Sequence, residues 1–141
     1  MFTNKGLSKS IQRQREDGIN MENISSESKM ESIKSLQSTI RKSEKALARM
    51  AQKGANTTLI EKRLIALRIG LAVLENVWNQ IPHHYTQDDL AKACNVLTGL
   101  FPSIENIYAK SKTGSPQRTL LERRIKALEL AVQAIDDLPN G

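Results

Sequence analysis

The side chains in this sequence that could do chemistry are the thiol of Cys94, the adjacent imidazoles of His83 and His84, the carboxylate pairs Asp88-Asp89 and Asp136-Asp137, and two basic pairs, Lys62-Arg63 and Arg123-Arg124. A cysteine becomes a nucleophile when a nearby cation or helix N-terminus lowers its pKa. Cys94 instead falls on the apolar stripe of its segment, where a free thiol packs as a small hydrophobe. Neighbouring histidines in a loop after Pro82 diverge, unlike ligands at i and i+4 of a helix, and no cysteine or spaced carboxylate completes a metal set. The aspartate pairs sit where helices are expected to begin and end and read as solvated ends. There is no Gly-rich phosphate loop, nucleophile elbow or helical Glu-x-x-His motif. Without a nucleophile, base and orienter, the chain is read as a non-enzyme, with no catalytic residue, metal or cofactor assigned.

The two basic pairs are one feature written twice. Sliding residues 58–77 onto 119–138, a shift of 61, superposes six identities: Thr58/Thr119, Leu59/Leu120, Glu61/Glu122, Arg63/Arg124, Ala66/Ala127 and Leu67/Leu128. Conservative exchanges fill the gaps, among them Lys62/Arg123, Leu64/Ile125 and Gly70/Ala131. With a one-residue gap the match extends upstream, pairing Leu36, Ile40, Ser43, Leu47 and Gly54 with Val96, Leu100, Ser103, Ile107 and Gly114. The repeated unit is a hairpin of two segments.

Those segments have helical spacing. Ile33, Leu36, Ile40, Ser43, Leu47 and Met50 recur at steps of three and four, and Gly54 stops the run. Ile60, Leu64, Leu67, Leu71, Leu74, Trp78 and Ile81 repeat the rhythm. Thr86 with Asp89 marks an N-cap opening a third helix, with Leu90, Cys94, Leu97, Phe101, Ile104 and Tyr108 inward. Pro102 must break or restart that helix near Phe101. Ser115-Pro116 caps a fourth, with Leu121, Ile125, Leu128, Val132 and Ile135 inward. Thr58 with Glu61, and Thr119 with Glu122, also have capping-box spacing.

The expected fold is all-α, an antiparallel up-down four-helix bundle made of two duplicated hairpins, residues 29–81 and 86–138, in a single domain 29–141. Residues 1–28 are polar and aperiodic and read as a flexible arm. With aromatics at 4% of 141 residues, the core must come from aliphatic side chains. The apolar stretches are far too short for a membrane span or a signal peptide, which places the expected location in the cytoplasm.

A second strip beside the heptad is rich in small residues: Ala66, Gly70 and Val73 in one copy, and Ala127, Ala131 and Ala134 in the other. It suits either tight internal packing or a homodimer contact. The net charge of +6 is moderate. In an up-down bundle Lys53, Lys62, Arg63, Lys112, Arg118, Arg123 and Arg124 gather near the hairpin tips, and several of them oppose the macrodipole of their own helix. That points to a non-catalytic regulatory or inhibitory module whose basic tip end binds a protein with an acidic surface. Two readings compete: a nucleic-acid-binding regulator using the same end with Lys34, Arg41, Lys42, Lys45 and Arg49, and a structural homo-oligomer joined through the small-residue strip.

A helix, Lys53-Gly54, a short link and a Leu-rich helix resemble the small bacterial helical hairpins of the aspartyl-phosphate phosphatase family. Their Ser-Gln-x-x-x-Asp signature is missing from Leu64 to Arg68, so the resemblance carries no function here.

Overall fold

A computed structural model describes residues 21–138; of the arm expected over residues 1–28, residues 1–20 lie outside the described residues. The described chain is all-helical. A short 3₁₀ turn, Met21–Asn23, precedes α1 (Ser26–Gln52), α2 (Thr58–Asn79), α3 (Gln87–Thr98), α4 (Phe101–Lys110) and α5 (Pro116–Asp136).

Each boundary has a local cause. The Ser25 hydroxyl accepts the Ser28 N–H at 3.1 Å, so α1 begins ahead of residue 29, and Met21 is already buried in the core. Gly54 ends α1 in the left-handed region at φ 72°, where its N–H reaches Ala51 O and the next N–H reaches Met50 O. This doubly bonded stop needs a residue without a Cβ penalty. The N-cap of α2 is Thr57, so the expected Thr58–Glu61 box does not form; the Thr57 hydroxyl donates to the Glu61 carboxylate instead. At α3 the reciprocal box does form. Thr86 Oγ1 accepts from Asp89 N at 3.1 Å while Asp89 Oδ2 accepts from Thr86 N at 3.0 Å.

The break expected at Pro102 separates α3 from α4, with proline in the first turn of α4, where its missing donor costs nothing. Ser115 caps α5 by accepting Arg118 N at 3.1 Å, with Pro116 in the first turn, so Thr119 lies inside the helix and caps nothing.

Helix α5 packs on all four others, and α2 touches α1, α3 and α5. That is why α5 buries more than one stripe: besides the expected Leu121, Ile125, Leu128, Val132 and Ile135, it buries Ala127, Leu130, Ala131 and Ala134. The largest fully buried side chains are Phe101, Leu36, Leu74, Leu97, Leu128, Leu130 and Val73. In α1 the buried positions are Ser32, Leu36 and Ile40, whereas Ile33 and Leu47 are only half-buried.

The small-residue strip is interior. Ala66, Gly70, Val73, Ala127, Ala131 and Ala134 are all buried within one chain, and a methyl on Gly70 would lie 3.3 Å from Ala131 Cβ and 3.2 Å from Leu97 Cδ1. This corrects the homodimer reading of the strip, because the surface a second copy would need is already covered. Small side chains let the two most buried helices approach closely.

Candidate functional site

The site starts at Thr39, a half-buried hydroxyl in the middle of α1. Its Oγ1 donates to Ser35 O at 2.9 Å and accepts the Nε–H of Arg124 at 3.1 Å across the α1/α5 junction. Arg124 is half-buried, and desolvation holds its guanidinium below the usual arginine pKa. Among the described residues its partner is this neutral hydroxyl and not a carboxylate.

Around Arg124 the two helices form a groove of about 650 Å³. Lys34, Arg41 and Lys42 line it from α1, Arg123 from α5, with the hydroxyls of Ser35 and Ser38 between them. Glu31 is the one carboxylate of the lining, 3.8 Å from Arg123 in a pair whose side chains are both about half exposed. Such a pair is weak. Leu120 also lines the groove and is 52% exposed, an apolar point among the cations.

The seven basic residues expected at the tip separate in the structure. Arg123 and Arg124 enter the α1/α5 groove. Lys62, with Asp89 and Lys92, lines a different groove between α2 and α3, floored by Ile65, Ala66, Ile69, Ala93 and Val96. Arg63, Lys53 and Lys112 are exposed.

Arg118 has another task. Its Nη1 donates to Tyr108 O at 3.3 Å and Ser111 O at 3.1 Å, and its guanidinium carbon lies 4.0 Å over the Tyr108 ring. It closes the C-terminus of α4, which resolves why a cation stands in the opening turn of α5: it serves the neighbouring helix's negative end.

The spacing of Lys34, Arg41 and Lys42 was legible as a basic face of α1, but Thr39 was not, because a mid-helix threonine carries no signal until α5 is placed beside it. A second feature invisible in the sequence is the carboxyl pair Glu105 and Glu129. Glu129 is buried in α5, and the Oε2 of Glu105 on α4 is buried without a hydrogen-bond partner. Loss of water, and then the charge of Glu129, push the Glu105 pKa up.

Cys94 is half-buried with Sγ 3.5 Å from Asp136 Oδ1, and the rings of His83 and Tyr85 lie 5.7 Å apart in the α2–α3 link. Among the described residues no group of three His, Cys, Asp or Glu side chains is placed to hold a metal ion, and no helix is long and apolar enough to cross a membrane. Comparison with known proteins finds no matching family model, no matching curated protein and no matching solved structure.

Proposed function

We propose that this chain is a non-catalytic regulatory or inhibitory module, a small all-helical bundle, that binds an acidic protein surface through the cations of α1 and α5. The observation that carries the reading is the shared groove, which is lined by Lys34, Arg41, Lys42, Arg123 and Arg124 with Glu31 as the one carboxylate. A groove lined mainly by one sign of charge attracts a partner of the opposite sign.

The duplication supports a specialised role for this groove. Gly70 and Ala131, equivalent under the 61-residue shift, are neighbours in the core. The counterparts of Lys34, Arg41 and Lys42 in the second copy are Cys94, Phe101 and Pro102, so the cations of α1 belong to one copy alone. A bundle scaffold does not require them. Leu120 favours a protein partner over a nucleic acid, whose phosphate backbone offers no apolar contact to an aliphatic side chain.

The test is fluorescence anisotropy with a labelled peptide of alternating Asp, Glu and Leu residues, beside single- and double-stranded DNA. Reversing Arg41, Lys42 and Arg123 to Glu is expected to abolish peptide binding, while reversing Lys62 and Arg63 leaves it intact. Binding retained by a folded groove-reversed protein overturns the proposal. Tight DNA binding with a steep salt dependence, and none to the peptide, replaces it with the nucleic-acid reading.

A further inference from the structure

We infer that the α1/α5 groove is a phosphoryl-dianion site, and that the acidic partner it takes presents a phosphate monoester to Arg124. This rests on reading the groove as the partner-binding surface and adds the chemical group it selects.

The argument begins with how Arg124 is held. Arginines placed for stability are commonly closed off by a carboxylate, which neutralises them and occupies the fork. Here the positioning bond is made by Thr39 Oγ1 to Nε alone, and Thr39 is itself fixed by its bond to Ser35 O. A two-bond relay from the α1 backbone thus orients the guanidinium without cancelling its charge. Among the described residues the terminal NH₂ groups have no hydrogen-bond partner, so the end of the fork is available for two parallel bonds to one anion.

The lining then decides which anion. A carboxylate brings one negative charge and two oxygens. Against it stand five cations and one carboxylate, with Ser35, Ser38 and Gln37 as further donors around about 650 Å³. A phosphate monoester near neutral pH carries close to two charges and three acceptor oxygens in a tetrahedral array, so it can meet the Arg124 fork, a lysine and a serine hydroxyl together. Half-burial of Arg124 strengthens those bonds relative to a fully solvated site. The α2/α3 groove is a built-in contrast. It holds Lys62 and Lys92 against Asp89 above an apolar floor, and Lys92 is already paired with Asp88 at 3.0 Å.

The experiment uses the full chain and three acidic peptides of one sequence, with phosphoserine, serine or glutamate at the centre, titrated by anisotropy. Inorganic phosphate and free phosphoserine serve as competitors. The phosphopeptide is expected to bind about tenfold tighter than the other two, with the difference erased by Arg124→Gln and by Thr39→Val and untouched by Lys62→Gln. Thr39→Val changes no charge, so its effect reports the positioning of the guanidinium. Circular dichroism confirms that each variant is folded.

Competition by inorganic phosphate at concentrations near those of the phosphopeptide assigns the site to a small anion. Weak competition assigns it to a phosphorylated side chain. Both support the dianion site. Equal, groove-dependent binding of all three peptides overturns the phosphoryl inference and leaves the acidic-surface reading standing, whereas absence of binding by any peptide or phosphate overturns both.

Discussion

Gly70 and Ala131 face each other where α2 and α5 cross, so closely that a methyl group on Gly70 would stand 3.3 Å from the Ala131 Cβ and 3.2 Å from Leu97 Cδ1. Glycine costs its helix about 1 kcal/mol relative to alanine, a cost that the approach of the two most buried helices offsets. Gly70→Leu would drive a branched side chain into this contact. The expected loss is about 1–3 kcal/mol in urea unfolding, because Ala131 and Leu97 are both fully buried around the site. A stable Gly70→Leu protein would mean the crossing is looser than described.

Arg118 separates structural from functional cations. Its bonds to Tyr108 O and Ser111 O and its stacking on Tyr108 tie the start of α5 to the end of α4. Arg118→Ala should lower stability by roughly 1–2 kcal/mol, from a lost charge-assisted hydrogen-bond pair and a cation–π contact. Anion binding in the α1/α5 groove should be unchanged. A variant that unfolds normally but fails to bind would place Arg118 in the site instead.

Glu105 gives the molecule a pH dependence whose direction is fixed. Its folded-state pKa is raised, first by lost hydration and then by Glu129, so the fold favours the protonated form. Stability from this residue is therefore greatest below the ordinary carboxylate range and falls as pH rises through the raised value. Glu105→Gln keeps the shape and removes the charge. It should flatten the dependence and raise stability at neutral pH, by well under about 1 kcal/mol because part of the carboxyl remains in water. Chemical denaturation at two pH values measures it.

Trp78 carries a buried Nε1 donor without a hydrogen-bond partner, while Lys29 lies 6.0 Å over its ring. An unsatisfied donor costs about 1–3 kcal/mol, so Trp78→Phe should lose some packing area yet leave the midpoint of thermal unfolding nearly unchanged. A loss of several kcal/mol would show that the indole nitrogen is satisfied in solution.

Local signals were the legible part. Gly54, Thr86 with Asp89, Pro102, and Ser115-Pro116 each act within a few residues, and each sets a helix end where the sequence indicated. The apolar rhythm of α5 was legible for the same reason, but its second buried face was not, since that depends on four neighbours. Ser32 in place of Ile33, and Thr57 in place of Thr58, are shifts of one residue that tertiary packing decides. For the site, the cationic residues could be named but not grouped. Arg118 and Arg124 look alike in sequence, and only the neighbours Tyr108 and Thr39 distinguish a cation that closes a helix from one that is left with its charge uncancelled.

That difference yields a last prediction about Arg124, in which stability and binding move apart. The side chain is desolvated by α1 and held by a hydroxyl, an arrangement that costs the fold hydration of a charge and returns one hydrogen bond. Arg124→Met retains the length of the stem and its contacts along the groove wall while deleting the charge. If the guanidinium were there to hold α1 against α5, this change would destabilise the protein appreciably. If it is there for an anionic partner, unfolding stability should stay within about 0.5 kcal/mol of the parent or rise, while phosphopeptide affinity falls by about tenfold or more. Parallel urea melts and anisotropy titrations on the same preparation decide between the two, and a drop in stability without a drop in affinity would return Arg124 to the scaffold.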